Sequence, residues 1–198
     1  MRVSGGPLTW LKISAKRLLI IGVHFLWRSP MKAVADTVNF EALDSCHQQI
    51  SSHLNDLAEL AKHVAANGVD AKAQQLAGAI EAFFSGTSRQ HHLDEERNVF
   101  PLLLVGGNAE LATAVSSLQQ DHGWIEENWL ELAPQLRAIA LGNNWLDDAE
   151  FQHYVEVFLE LVRGHIALEE TLIYPESKAR WAQAVEARAV RAAQRNAA

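Results

Sequence analysis

The chain has little cysteine, little strand-like sequence and no excess of positive charge, and each shortage excludes a class of protein. Cys46 is the only cysteine among 198 residues, so neither an intramolecular disulfide nor a cysteine-rich zinc site can form. The formal net charge of −7 argues against a nucleic-acid-binding protein. Because 48% of the residues are hydrophobic, the chain can still build a substantial core, which excludes a disordered protein.

Charge divides the chain into three regions. Residues 1–32 carry six basic residues and no acidic one, and residues 176–198 carry five basic residues against two acidic ones. The intervening residues 33–175 hold six basic and 22 acidic residues, a net charge of −16, which disfavours an anionic substrate or partner. We expect a basic N-terminal extension over 1–35, an acidic domain over 36–175, and an Ala- and Arg-rich C-terminal segment after it.

The N-terminal extension has three interpretations. Its longest apolar run, residues 18–27, is too short to span a bilayer. The run follows Lys16 and Arg17 as in a signal peptide, although further basic residues precede the nearest cleavage-like sequence. The alternatives are an amphipathic membrane-surface anchor, or a start-site artefact over residues 1–30 with translation beginning at Met31. The weak signal and the single cysteine favour a cytoplasmic protein.

Apolar residues recur at alternating spacings of three and four in four segments, which predicts four amphipathic helices. Their ends are marked by Asn67-Gly68, Gly106-Gly107, Gly142-Asn143 and Pro175. Pro101 and Pro134 are expected to bend the second and third helices. Because the connections are short, neighbouring helices should be antiparallel. The sequence predicts an all-α fold: an up-down-up-down four-helix bundle over 36–175 with N- and C-terminal helical appendages.

Tryptophans mark both the bundle and the C-terminal segment. Three of them are expected to pack the bundle: Trp124, Trp129 and Trp145. Trp181 lies in the C-terminal segment, 176–198, where it shares an apolar face with two valines. This segment is therefore either a fifth helix that packs outside the bundle or a frayed basic tail.

Each predicted helix carries a histidine on its apolar face, where core residues should lie. These are His47, His91, His122 and His165. Glu95 and Glu169 follow two of them by four residues, and residues at that spacing share one face of a helix. A buried carboxylate is unfavourable unless it is paired or bound to a metal, so the two glutamates need a shared explanation.

The second and fourth helices repeat one motif. Residues 91–101 and 165–175 both have the form H-x-x-x-E-E-x-x-x-[FY]-P, and the preceding pair, His47 and His122, are separated by almost the same interval. Two repeated helix pairs would bring equivalent side chains to a common centre. The sequence therefore predicts a metal centre with six ligands: His47, His91, Glu95, His122, His165 and Glu169.

The predicted donors are four imidazole nitrogens and two carboxylates, with no thiolate. Two bridging glutamates suit two metal ions about 3.5–4 Å apart. Octahedral iron with two histidine and two glutamate donors would keep roughly two positions for an oxo or hydroxo bridge and an exogenous ligand. Dinuclear zinc or manganese fits the same donors, so the residues alone leave the metal open.

The order and spacing of these residues, with Asp121-His122 on the third helix, resemble the hemerythrin-like HHE cation-binding domains. The resemblance covers about residues 40–175. It implies a four-helix bundle around a non-haem di-iron centre, with the six residues above as the iron ligands.

The chain departs at two positions from the hemerythrins that carry oxygen. Where those proteins have a second histidine on the third helix, this chain has Glu126. Glu126 is a candidate seventh ligand, an acceptor for the N–H of a ligand, or a solvated side chain. The last carboxylate follows His165 by four residues, whereas the carriers use five. Both departures favour resemblance to bacterial HHE proteins implicated in oxygen or nitric oxide sensing, iron handling and iron–sulfur cluster repair.

The residues around the predicted ligands have less specific interpretations. His92 should point about 100° away from His91, as an outer neighbour of the site or an exposed residue. Cys46 is expected to be a small buried hydrophobe. Phe100 and Tyr174 should cap one end of the bundle, with Tyr174 able to hydrogen-bond to the site. The other histidines are expected at the surface or at the core boundary: His53, His63 and His153.

Three functions follow as hypotheses. The first is a di-iron protein that binds oxygen or nitric oxide for storage, sensing or a stress response. The second is a di-iron enzyme that acts on peroxide or donates iron for cluster repair; whether the protein is an enzyme stays open, and no catalytic residue is assigned. The third is a metal-free helical interaction module. The expected partner is a small diatomic ligand rather than nucleic acid, and any membrane contact would involve the N-terminal segment.

Overall fold

The structure, a computed structural model, describes residues 38–197, and within that range all regular structure is helical. The predicted N-terminal extension, 1–35, lies outside the described residues. Seven α-helices follow in this range: α1 Phe40–Asn67, α2 Ala71–Phe83, α3 Arg89–Asp94, α4 Phe100–Leu104, α5 Ala109–Ala140, α6 Asp148–Leu168 and α7 Tyr174–Asn196. Three π-helical turns join some of them without a break: Phe84–Ser88, Glu95–Val99 and Glu169–Ile173. The result is four long rods, formed by α1, by α2 to α4, by α5, and by α6 with α7.

The rods begin and end where the sequence supplies local partners for the backbone. Each rod starts with a side chain that accepts a hydrogen bond from the first helical turn: Asn39, Asp70, Asn108 and Asp147. Gly68 follows α1 with φ 73°, and Gly142 follows α5 with φ 81°. These left-handed conformations favour glycine, which explains why the rods stop at the predicted positions.

The four rods form a closed ring of neighbours. The α1 helix packs against α2 and α6, and α5 packs against the same two helices. Successive rods are joined by short connections, so they run antiparallel. The predicted all-α four-helix bundle is confirmed. No helix among residues 38–197 has the length and apolar character required to cross a membrane.

The C-terminal segment differs from its prediction, because the fourth rod does not end at Pro175. Pro175 lies in the first turn of α7, where a missing N–H is tolerated, and the helix continues to Asn196. The segment therefore extends the fourth rod and is neither a separate fifth helix nor a frayed tail. Pro134 likewise lies inside the continuous helix α5.

Two basic side chains attach the start of α7 to the other rods. The Lys178 ammonium lies 2.8 Å from the Asp44 carboxylate of α1. The Arg180 guanidinium donates to the carbonyl oxygens of Leu103, at 3.0 Å, and Val105, at 2.6 Å. Because the last carbonyls of a helix lack intrahelical partners, Arg180 satisfies the end of the second rod.

The core consists of two apolar clusters at different heights along the bundle. The larger, named the upper cluster, includes Leu57, Ile80, Leu132 and Phe158. The smaller, named the lower cluster, includes Leu43, Phe100, Leu103, Leu118 and Tyr174. Each large apolar side chain buried in them contributes about 1.5–3 kcal/mol of transfer free energy. On every rod, the residues that lie between the two clusters are the buried polar residues predicted from the sequence to bind a metal.

The predicted apolar face is buried where the helix is regular. Where a π-helical turn occurs, the buried face is displaced by one residue. The spacing of three and four places nine residues of the third helix on one face, and all nine are buried along α5: Leu111, Val115, Leu118, His122, Ile125, Trp129, Leu132, Leu136 and Ile139. The same spacing places Thr87, Asn98 and Leu102 on the inward face of the second helix. In the structure, the buried positions are instead taken by the residues one step later: Ser88, Val99 and Leu103. A π-helical turn contains one residue more than an α-helical turn, so the inward face moves by one position.

The tryptophan prediction is correct only in part. Trp129 is buried in the upper cluster, where its ring contacts Phe84. Trp124 is 56% exposed and Trp145 is 74% exposed, so these two do not pack the interior. Trp145 lies in the connection between α5 and α6, where no periodic face constrains it.

Candidate metal centre

Six polar side chains fill the layer between the upper and lower clusters. Each rod contributes a histidine, and the second and fourth rods each add a glutamate: His47, His91, Glu95, His122, His165 and Glu169. Both glutamates are 0% exposed, and no histidine of the six exceeds 7%. The structure therefore brings together all six residues that the sequence names as candidate ligands.

The donor atoms form two groups that share both glutamates. One group joins Glu95 and Glu169 to His47 and His91, and the other joins them to His122 and His165. Within each group, one donor atom from every residue lies within 4.8 Å of the others. We call the α1 and α2–α4 rods the first half of the bundle, and the α5 and α6–α7 rods the second half. Each group then takes its histidines from one half.

Each glutamate reaches histidines of both halves. Glu169 Oε2 lies 3.3 Å from Nε2 of His165, in its own rod, and 3.3 Å from Nε2 of His47. Glu95 Oε1 lies 3.4 Å from His91 Nε2, while its other oxygen lies 3.7 Å from His122 Nε2. Both carboxylates therefore lie within reach of histidines of both halves.

Several atoms at this centre are buried without a hydrogen-bond partner. They include Nε2 of His91, His122 and His165, Oε2 of Glu95 and both carboxylate oxygens of Glu169. Leaving a buried polar atom unsatisfied costs about 1–3 kcal/mol, so a set of such atoms converging on one point is unfavourable. A cation would satisfy all of them together. The residues present therefore fit a bound metal.

Comparison with known proteins agrees with this geometry. The family model described as "Hemerythrin HHE cation binding domain" matches residues 38–177. The chain belongs to the hemerythrin HHE family. An uncharacterized protein of Haemophilus influenzae is 29% identical to it over 132 residues, which cover 67% of this chain and 74% of that protein. All six residues of the buried cluster lie inside the matched HHE domain, whose description as cation-binding accords with a cluster able to hold a metal.

Two further glutamates orient histidines of the HHE domain from outside the centre. His122 Nδ1 lies 2.8 Å from Glu96 Oε1, and His47 Nδ1 lies 3.3 Å from Glu170 Oε1. An ionised carboxylate can only accept, so each histidine donates from Nδ1 and keeps the Nε2 lone pair for the centre. The sequence prediction missed this role, although the repeated Glu-Glu pair was its signal. Each glutamate orients a histidine of the opposite half.

The two buried carboxyl groups of the HHE domain have opposite pKa shifts. Burial and the nearby Glu169 carboxylate raise the pKa of Glu95 well above its ordinary value. Burial also opposes ionisation of Glu169, but the rings of His165 and His47, each 3.3 Å from its carboxylate, outweigh burial and lower the pKa of Glu169. The two carboxyl groups titrate as a coupled pair, which favours a single proton shared between them in the absence of metal. Metal binding at both carboxylates would release such a proton.

The histidines with resolved shifts are held neutral. Burial lowers the pKa of His91 to about 3, and it lowers the pKa of His122 more than Glu96 raises it. A metal ligand must be neutral imidazole, so this environment prepares the rings for a cation.

Tyr174 lies against the centre from the lower cluster. Its hydroxyl donates to Glu95 Oε1 at 2.5 Å and lies 3.1 Å from His47 Nε2. Its ring stacks on His47 with centroids 4.7 Å apart. Burial and the neighbouring Glu95 raise the pKa of Tyr174, so the phenol stays protonated and remains a donor. The predicted hydrogen bond from Tyr174 to the site is present.

The π-helical turns coincide with the glutamates of the HHE domain. Glu95 begins one such turn and Glu169 begins another, at equivalent positions of the repeated motif. Insertions of this kind are frequent at functional sites because they redirect the side chains that follow. Here they bring Phe100 and Tyr174 beneath the histidines, which a regular α-helix would not do.

Glu126 does not join the centre. Its carboxylate is 35% exposed and forms an ion pair with Arg89 at 2.8 Å, and it belongs to none of the donor groups among the described residues. Cys46 is buried beside the cluster, as expected of a small hydrophobe. Burial and the nearby Glu95 raise the pKa of Cys46 to about 11, which keeps the thiol protonated.

The histidines outside the predicted ligand set occupy different environments. His53 is partly buried and stacks on Phe83, and His63 hydrogen-bonds to Asp70 at 2.9 Å. His153 is exposed, as predicted. His92 is partly buried, and unlike the other three it lies directly against the centre.

Proposed function

We propose that this HHE domain holds two iron ions between its halves and binds oxygen or nitric oxide there, as a storage, sensing or stress-response protein. The observation that carries the proposal is the pair of donor groups that share Glu95 and Glu169, with their inward atoms unpartnered and buried. The proposed ligands are the six residues of the cluster.

The donor chemistry supports iron. Each ion position has two imidazoles and two carboxylates and no thiolate, and histidine–carboxylate sites with open positions are typical of non-haem iron. Four protein donors leave about two positions of an octahedron unfilled. Bound iron supplies an open coordination position and a reversible change of oxidation state. Zinc and manganese accept the same donors, so metal analysis is part of the test.

The surroundings of the centre support a small uncharged ligand. The cluster is enclosed by the four rods and covered by apolar side chains above and below, so a bulky substrate has no room beside the donors. The acidic character of residues 33–175 opposes the approach of anions, whereas it has no effect on oxygen or nitric oxide.

The chain's own residues prepare the site in three ways. Burial keeps His91 and His122 neutral, and Glu96 and Glu170 fix the tautomers of His122 and His47. The Tyr174 hydroxyl holds one oxygen of Glu95 on the side of His47. These contacts fix the orientation of the ligands, so metal binding should need little reorganisation.

The decisive experiment measures metal content and the optical spectrum of the full chain produced in iron-supplemented medium. We expect about two iron ions per chain, as the two donor groups require, and charge-transfer bands that change on adding nitric oxide or azide. The double variant His91→Leu/Glu95→Leu should lose iron. The matched control, His153→Leu/Glu127→Leu, removes the same residue types from exposed positions and should keep it.

Three outcomes would contradict the proposal. Zinc alone, or no metal, would remove gas binding. Iron without a spectral response to any of these ligands would do the same. Catalytic consumption of peroxide by the iron-loaded protein would favour an enzyme over a binding protein.

A further inference from the structure

His92 breaks the symmetry of the buried cluster. In the repeated motif it occupies the position of Ile166, which offers no donor. The His92 ring lies 4.2 Å from the His122 ring with planes 13° apart, and 5.4 Å from the His165 ring. His92, His122 and His165 each offer a ring nitrogen, and the three nitrogens lie within 4.8 Å of one another. Three imidazoles therefore converge on one side of the centre.

The position of His92 follows from the geometry of the second rod. Consecutive residues of an α-helix point about 100° apart, and this rod packs between α1 and α5. His91 stacks edge-on against His47 of α1, with ring centroids 4.8 Å apart, so the next residue turns toward α5 and His122. The second rod thus supplies one imidazole to each side of the centre.

We propose that His92 supplies a further nitrogen donor to the ion held by His122 and His165. The two ion positions are then unequal, with three imidazoles on the second-half side and two on the first-half side. This inference rests on the proposed function, because it requires both ions to be bound. It also differs from the sequence prediction, which places His92 outside the ligand set and offers Glu126 instead.

The test is Mössbauer spectroscopy of the full chain loaded with ⁵⁷Fe, because each iron environment gives its own quadrupole doublet. The wild type should show two doublets of equal area. In His92→Ile, which copies Ile166 of the other half, one doublet should change its splitting while the other stays. The iron content should remain at the wild-type value. His153→Ile is the matched control, since it replaces an exposed histidine and should leave both doublets unchanged.

The outcomes separate this inference from the proposed function. Two bound irons with the same doublets in His92→Ile as in the wild type would overturn the role of His92 and leave the di-iron centre standing. A single doublet for both irons in the wild type would also overturn the role of His92. This outcome needs no variant, so the test remains valid if His92→Ile fails to fold. A wild-type chain that binds no iron would overturn both.

Discussion

The two halves of the bundle present matching residues to the centre from opposite sides. Four pairs correspond through the repeat: His47 with His122, His91 with His165, Glu95 with Glu169, and Glu96 with Glu170. In each half, the rod that carries the glutamate also places an aromatic ring against a histidine of the other half: Phe100 against His122 and Tyr174 against His47. The shared residues form the buried cluster and its outer contacts, so this symmetry accounts for the presence of two donor groups.

Three of the positions at which the halves differ lie beside the cluster. Tyr174 has a hydroxyl that its counterpart Phe100 lacks. Histidine stands at position 92 where the second half has isoleucine. Cys46 corresponds to Asp121, whose carboxylate lies 3.9 Å from His165 Nδ1. The differences therefore change the surroundings of each donor group while the six candidate ligands stay the same.

The strongest test of the comparison is to remove a shared glutamate. Glu169→Ala should lose both ions, because the carboxylate lies 3.3 Å from a histidine of each half. Metal content of the purified variant should fall from about two ions per chain to near zero. Glu127→Ala, at an exposed position of α5, should retain full occupancy. If Glu169→Ala kept one ion, the halves would be independent sites.

The metal-free protein should lose stability as the pH falls below about 6.5. Burial lowers the pKa of His91 to about 3 and also lowers the pKa of His92 and His122. Below pH 6.5 these histidines bind protons in the unfolded chain but not in the folded chain. Their contribution to the free energy of unfolding is therefore fully present above pH 6.5 and is lost as the pH falls toward 3. Each such histidine costs about 1.4 kcal/mol per pH unit. The raised pKa of Glu95 acts in the opposite direction, but it is one group against three.

Urea titrations of the metal-free protein at pH 7.5 and pH 5 measure this effect. His92→Ile removes one of the three histidines, so it should reduce the difference in stability between the two pH values. Equal urea midpoints at both pH values in the wild type would show that the histidines are not held neutral by burial.

The outer glutamates should matter to different degrees in the two halves. Glu96 lies 2.8 Å from His122 Nδ1, whereas Glu170 lies 3.3 Å from His47 Nδ1 and its side chain is 56% exposed. Glu96→Ala should weaken metal binding about 10–100-fold, and Glu170→Ala should weaken it less. Competition with a chelator of known affinity gives both values. A larger effect for Glu170→Ala would mean that Glu170, and not Glu96, makes the stronger contact with its histidine.

Tyr174→Phe makes the two halves alike at this position. The variant leaves Glu95 Oε1 and His47 Nε2 without their hydroxyl partner inside the core. The metal-free protein should be destabilised by about 1–3 kcal/mol, which urea unfolding would detect. Tyr154→Phe, at a partly exposed position of α6, is the control and should have little effect. An unchanged unfolding midpoint in Tyr174→Phe would mean that this hydrogen bond does not stabilise the fold.

The smallest effect is expected at Glu126, which has no counterpart in the cluster. Its ion pair with Arg89 is partly exposed, and such pairs contribute about 0–1 kcal/mol. Glu126→Gln should therefore retain both ions and nearly full stability, by metal analysis and urea unfolding. Loss of an ion would place Glu126 in the ligand set after all.

Much of the fold and the composition of the buried cluster could be predicted because both depend on helical periodicity. The spacing of three and four locates nine of the eleven buried positions of α5, and the same spacing places the glutamates one turn after their histidines. The N-cap and glycine signals then fix where the rods begin and end. These are local properties, which one sequence contains in full.

The predictions that failed depend on irregular turns and on contacts between rods. The π-helical turns move the buried face from Asn98 to Val99, and nothing in the periodicity marks the inserted residue. The contact of Glu96 with His122 joins rods whose relative rotation is not encoded in either helix alone. His92 was placed correctly by angle, but the sequence does not show that α5 lies in that direction.

Because each glutamate approaches a histidine of the other half, a bound cation would join segments that are far apart in the sequence. His47 and Glu169 lie near opposite ends of the domain in the chain, yet both belong to one donor group. A cation there closes a long loop, as a cross-link does, and so lowers the entropy of the unfolded chain. The single cysteine excludes an intramolecular disulfide, and a bound metal can supply a cross-link of the same kind. The melting temperature should then rise with the concentration of free metal ion.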